Sequence, residues 1–150
     1  AAALDEAGVP ARAVATSTEA VAAADVVVTA TTATEPVFPA AALAPGALVV
    51  AVGAFTEEMQ ELEPAVLADA ERVFADVPSE VAHTGDLLAS SLEASDLVEL
   101  GVPLEEGYTR ESQRGRLVVA SVGSATLDAA AGAAVYRRAV EAGDGTDVSL

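Results

Sequence analysis

Three threonines follow a run of three valines in this 150-residue chain, in the order Val26-Val27-Val28-Thr29-Ala30-Thr31-Thr32. Hydroxyls at the carboxyl end of a strand can meet ribose, phosphate or carboxamide groups of a ligand. The alternative is plain β-branched strand propensity with local hydroxyl-to-backbone bonds. A second apolar run, Leu48 to Val52, follows the Pro45-Gly46 turn and ends at Gly53. In an open parallel α/β sheet, ligands bind beyond the carboxyl ends of the strands. Thr29, Thr31, Thr32 and Gly53 are therefore expected to line one crevice, the glycine either admitting close backbone approach or serving a turn.

Two further groups could do chemistry. Ser121 and Gly123 stand just before the last helical stretch, where a serine and free backbone N–H groups suit a carboxylate or phosphate; capping of the helix by Ser124 is the competing use. His83 is the only histidine. It could exchange protons near neutrality, but it is expected mid-helix with no metal-ligand partner at a useful spacing, hence solvent-facing or structural. Glu57, Glu58, Glu61 and Glu63 follow a loop and read as a solvated acidic face rather than paired catalytic carboxylates. No metal site is expected.

The elements that must position these residues alternate strand and helix. Ala11 to Ala15 reads as a short strand; Thr16 and Glu19 form a capping box before a helix through Ala24; Asp25 to Ala30 is the next strand. A helical turn over Pro39 to Leu43, a strand over Leu48 to Val52 and a helix over Pro64 to Ala70 follow. Arg72 to Asp76 is a strand and Ser79 to Leu88 one helix with a serine N-cap. Val26 to Val28 is continuous enough for a strand buried on both faces. From Ser95 to Arg114, Gly101, Pro103 and Gly107 break the helical spacing, and a mobile connection is expected. Leu117 to Ala120 is a last strand and Ala125 to Ala142 the clearest helix, its alanines suited to close helix packing. This alternation demands a parallel sheet with right-handed crossovers.

The net charge of -17, with seven arginines and no lysine, repels nucleic acid phosphates and anionic membranes, so neither is an expected partner. A hydrophobic fraction of 52% excludes disorder as the reason for the acidity. Either adaptation to high salt or GC-rich codon bias accounts for it. There is no cysteine, which excludes disulfides and thiolate metal sites. No apolar stretch is long enough to span a bilayer, and a soluble cytoplasmic protein is expected.

Three segments, VVVTATTATEPVF, PGALVVAVGAFTEEMQELEPAVL and RLVVASVGSATLDAAAGAAVYRRA, resemble in sequence and order the second half of the ornithine cyclodeaminase and mu-crystallin family. The resemblance implies an incomplete Rossmann-type parallel sheet, the second half of a dinucleotide-binding domain, over residues 1–115. It further implies a strand and helix over 116–142 that return to a substrate and dimerisation domain, and a flexible tail over 143–150. The chain opens without a methionine, and the Gly-x-Gly-x-x-Gly turn of such domains is absent from it, so it reads as a C-terminal piece of a longer protein, expected to be inactive alone.

For the sites, the resemblance implies that Thr29, Thr31, Thr32, Val52 and Gly53 contact NAD or NADP, with Val52 and Gly53 beside the nicotinamide. It places Phe55, Ser121 and Gly123 close to the substrate. Cyclodeaminases carry an aspartate two residues after the AVG motif; Phe55 fills that place here, and a phenyl ring can neither accept a proton nor steady a cationic amine. Ala120 stands where the family usually has a lysine. The implied activity is an NAD(P)-dependent oxidoreductase that reduces a small cyclic imino acid or aminates a 2-oxo acid, working as a homodimer. An ornithine cyclodeaminase and a non-enzymatic, mu-crystallin-like binding protein are the alternatives. Catalytic residues are expected upstream of Ala1 and cannot be named from this chain.

Overall fold

The computed structural model describes residues 8–146 and residue 148. Its frame is a five-stranded sheet of β1 (Val26–Thr29), β2 (Leu48–Ala51), β3 (Ala70–Ala75), β4 (Val98–Glu99) and β5 (Arg116–Ala120). Every pairing is parallel and the spatial order is β1-β2-β5-β3-β4. In register, Val27 pairs Val49, Val49 pairs Val118, and Val118 pairs Val73. Alternate residues of these strands, Val27, Val49, Ala51, Val73, Ala75, Val118 and Ala120, point into one core with Phe38, Leu62, Val66, Leu67, Val81 and Leu87. The result is a Rossmann-type α/β sheet, as the alternating pattern requires.

Helices α1 (Ser17–Val21), α2 (Pro64–Ala68), α3 (Pro78–Val81), α4 (Gly85–Leu88), α5 (Gly101–Glu106) and α6 (Ala125–Ala142) join the strands, with single 3-10 turns over Ala40–Ala42 and Ala94–Asp96. Thr16 caps α1 by accepting from Glu19 N at 3.1 Å, and Ser124 caps α6 by accepting from Leu127 N at 3.3 Å. Gly143, at φ 70°, ends α6 in the left-handed conformation, with Asp144 N donating to Ala139 O at 2.9 Å. The expected tail thus begins as a helix cap, and its residues 147, 149 and 150 lie outside the described residues. None of the residues of α6 is buried. Among the described residues no helix is long and apolar enough to cross a membrane.

Four expectations are corrected. No strand forms over Ala11 to Ala15: β1 is the edge of the sheet, so no ladder runs along its outer side among the described residues. Val26 and Val28 are 53% and 62% exposed, so β1 is buried on one face rather than two. Ser79 to Leu88 is two helices, because the chain turns over Ala82 to Thr84, and Val77 rather than a serine precedes the first of them.

The fourth correction concerns the expected mobile connection, which is built instead into β4, α5 and an anchored loop. Glu71 accepts from Tyr108 Oη (3.0 Å), Glu111 N (2.8 Å) and Ser112 N (3.0 Å), while Arg110 Nη1 donates to Gly46 O at 2.7 Å. Tyr108 also sets its ring edge-on to Phe74 at 5.1 Å between centroids. The glycines and prolines that signalled a break mark turns between short elements held by these side chains.

Candidate functional site

The carboxyl ends of β1 and β2 are tied together by one carboxylate. Glu61, fully buried, accepts from Thr29 Oγ1 (2.8 Å) and Gly53 N (3.0 Å) on Oε2, and from Thr31 N (2.6 Å) on Oε1. All three partners are donors, which a carboxylate accepting on both oxygens satisfies completely. Asp86 lies behind it, also buried, with Oδ1 accepting from Glu61 N (2.7 Å) and Leu62 N (2.8 Å). Burial pushes the Asp86 carboxyl above its ordinary 3.8 against the pull of those two backbone bonds, and the charge of Glu61 adds to the rise.

This arrangement sorts the expected crevice residues. Thr29 is buried with its hydroxyl committed to Glu61, which takes it out of reach of a ligand. Thr31 and Thr32 are exposed at the strand end, and the Thr31 hydroxyl accepts from Ala33 N at 3.2 Å. Val52 is exposed and extends the ladder by donating from N to Thr29 O at 2.9 Å. Gly53 is buried, and a Cβ there would come within 2.5 Å of Glu61 Oε1 and Thr31 N. The glycine is needed for the close approach of the two strand ends, a reason in addition to any ligand. Of the four acids read as a solvated face, Glu57 and Glu58 are exposed, Glu63 is half-buried and accepts from Ala40 N at 2.8 Å, and Glu61 is the least exposed of all.

A cavity of about 490 Å3 opens at the carboxyl ends of β2, β3 and β5, lined by Phe55, Val77, Glu80, His83, Val122, Gly123 and Ser124. It brings together Phe55, Gly123 and His83, which lie far apart in sequence. His83 is not mid-helix but in the turn between α3 and α4, exposed, with its backbone N donating to Glu80 O at 3.0 Å. Three of the cavity's lining residues, Val77, Val122 and Gly123, are held by Asp76. Its carboxylate accepts from Ser121 Oγ (2.7 Å), Gly123 N (2.8 Å), Val77 N (2.8 Å) and Val122 N (3.2 Å). Burial works to raise the Asp76 carboxyl, but these four donors outweigh it and hold the group below its ordinary 3.8. The N–H groups of Val122 and Gly123 are therefore not free for an anion, as the sequence had suggested, because Asp76 already supplies one.

A smaller hollow of about 300 Å3 runs along β1 and α1 past Val26, Val28, Thr31 and Phe38. Among the described residues, no group of three or more His, Asp or Glu side chains is placed to hold a metal ion. A dinucleotide fits what is present in part: the strand ends leave Thr31, Thr32 and Val52 exposed on the ligand-binding edge of such a sheet, while Gly53 is buried against Glu61 and Thr31.

Sequence reasoning missed Glu61, Asp86 and Asp76. The available signal was slight: Glu61 stands beside Leu62 and two residues after Met59, and Asp76 at the polar end of the strand Arg72 to Ala75.

A parallel sheet with its cavity at the carboxyl ends of the strands defines the nucleotide-binding class of α/β domains. The chain belongs to the ornithine cyclodeaminase/mu-crystallin family, whose model matches residues 1–143. It is 37% identical to the Delta(1)-pyrroline-2-carboxylate reductase of Bacillus cereus over 150 aligned positions, covering 95% of this chain and 46% of that protein. Thermococcus litoralis Delta(1)-pyrroline-2-carboxylate reductase, solved in complex with NADH and L-proline, superposes with a TM-score of 0.84 at 26% identity, over 97% of this chain and 47% of that one. An archaeal alanine dehydrogenase dimer with bound NAD gives a TM-score of 0.82 at 26% identity, over 99% and 48%. The chain thus spans about half the length of the relatives it matches.

Proposed function

We propose that the protein is an NAD(P)-dependent oxidoreductase that reduces a small cyclic imino acid, of which pyrroline-2-carboxylate is the first candidate, or aminates a 2-oxo acid. The observation that carries this reading is Phe55, 63% exposed on the wall of the cavity beyond the strand ends. It stands where the cyclodeaminase branch of the family has a carboxylate, and its apolar ring suits a small ring substrate rather than a cationic amine. The names of the reductases it resembles, and the NADH and L-proline bound by one of them, support the same reading.

In this role Thr31, Thr32, Val52 and Gly53 line the cofactor's nicotinamide end, while Phe55 and the Asp76-held loop of Ser121 and Gly123 border the substrate. Bound NAD(P)H would supply the hydride; the chain's own part is to orient the imino acid, exclude water and deliver a proton. The archaeal alanine dehydrogenase is a dimer, and we extend that assembly to this protein.

The test is turnover by the full-length protein. It should oxidise NADH or NADPH with pyrroline-2-carboxylate, or with pyruvate and ammonia, and release little ammonia from ornithine. Steady conversion of ornithine to proline without net consumption of reduced cofactor would assign it to the cyclodeaminase branch instead. Tight binding of such acids without any turnover would make it a binding protein.

A further inference from the structure

We propose that His83 is the proton donor to the substrate nitrogen, an assignment that rests on the reductive reading above. Reduction of an imine needs two deliveries. The imine carbon receives a hydride with its electron pair from the reduced dinucleotide, the C=N π pair moves onto nitrogen, and that nitrogen must take a proton. Without the proton the product would be an amide anion, too basic to form in water near neutrality. A proton held close to the nitrogen therefore lowers the barrier.

Of the residues with which this chain lines the cavity, two carry ionisable side chains: Glu80 and His83. A glutamate is a carboxylate at neutral pH and has no proton to give, whereas an imidazole exchanges its proton in that range. The His83 side chain is exposed to the cavity and makes no hydrogen bond or ion pair with any described residue, so both ring nitrogens are available to substrate and solvent. The other acidic groups around it are accounted for. Asp76, below, has its oxygens committed to Ser121, Val122, Gly123 and Val77. Glu57 and Glu58 are exposed on the loop whose Thr56 and Glu57 carbonyls pack on Gly85. Asp86 is turned inward to Glu61 and Leu62.

This geometry also gives the turn between α3 and α4 a purpose. The turn that follows α3 at Val81 carries His83, which lines the same cavity as Phe55. After donation, neutral His83 is reprotonated from solvent at the open mouth of the cavity, so the proton balance closes with each turnover.

The experiment uses the full-length protein with NAD(P)H and pyrroline-2-carboxylate. His83→Gln should lower kcat about 100-fold, within the usual range for a general acid, and remove the decline in rate with rising pH that belongs to the imidazole, leaving only the limb due to the imine itself. In His83→Ala, added imidazole should restore part of the rate. An independent readout is the imidazole NMR signal that His83→Gln abolishes, which L-proline should shift in the wild type. Wild-type turnover with a His83→Gln rate within threefold and an unchanged pH profile would overturn this assignment alone. A slow His83→Ala variant that imidazole does not rescue, with no shift on adding L-proline, would reduce His83 to a structural residue. Absence of any imino or oxo acid turnover by the wild type would overturn the reductive reading, and the role of His83 with it.

Discussion

Replacing Glu61 by glutamine changes almost nothing in volume and one thing in chemistry: an acceptor oxygen becomes an NH2 that can only donate. Oε2 of Glu61 serves Thr29 Oγ1 and Gly53 N, while Oε1 serves Thr31 N alone. The best rotamer of the variant therefore turns its amide oxygen to Thr29 and Gly53 and sets its NH2 against the Thr31 N–H. One charge-assisted bond of 2.6 Å becomes a contact between two donors. The loss of such a bond is worth roughly 1.5–3 kcal/mol, partly offset by removing a charge from beside Asp86, so we expect Glu61→Gln to cost about 2 kcal/mol. Glu61→Ala leaves all three donors without their acceptor and should cost about 3–5 kcal/mol, a large part of the roughly 5–15 kcal/mol that holds a domain together. Urea unfolding at pH 7 measures both, read as a fall in midpoint with the slope unchanged. Gly53→Ala is a companion, since its Cβ would displace the same carboxylate from the other side. A glutamine variant as stable as the wild type would refute the idea that the strand ends require an acceptor on both oxygens.

Asp86→Asn keeps an Oδ1 for the Glu61 and Leu62 N–H groups and removes a charge that burial disfavours. Because the folded-state carboxyl titrates above its ordinary 3.8, its contribution to stability is complete below that value and is lost as pH rises through the raised value. The asparagine variant should then be the more stable protein at pH 7, with the gap closing below 3.8; a less stable variant at pH 7 would count against the burial argument. Asp76 has the opposite sign: held low by its four donors, it contributes stability above 3.8 that is lost as pH falls through its lowered value. Asp76→Asn should therefore be less stable at pH 7 and show a shallower loss of stability on acidification, measured by thermal melts across pH. If the net charge of -17 is an adaptation to salt, the melting temperature should rise between about 0.1 and 2 M KCl as the screening length falls from about 10 Å to below 3 Å; a flat trend would leave codon bias.

The strands were legible because their signals are local: Val26 to Val28, Leu48 to Val52 and Leu117 to Ala120 each carry their apolar run within a few residues. The 18 residues of α6 were equally plain, from the Ser124 cap to the Gly143 stop. The carboxylate of Glu61 was not legible, because its partners come from 8, 30 and 32 residues away, and four acids within seven positions look like a surface until the fold folds one of them under. The gathering of His83 and Phe55 was hidden for the same reason, since neither residue has a motif of its own and only the turn at Ala82 to Thr84 brings them to one cavity. The loop over 107–114 looked loose because its anchor, Glu71, belongs to a strand some forty residues earlier.

The position of β5 has a consequence for how the molecule is made. It is the last in chain order of the five described strands, yet it lies at the centre of their sheet, with β2 on one side and β3 on the other. Until Arg116 to Ala120 are available, the β1–β2 pair and the β3–β4 pair have no strand to join them among the described residues, and a two-stranded ribbon is too small to persist by itself in water. At about 5–20 residues per second, β1 to β4 are therefore made several seconds before β5 arrives between β2 and β3. Nascent chains of this protein should depend on chaperones over that interval, and a ribosome stalled before the codon for Arg116 should carry a chain that proteases cut freely between β1 and β4.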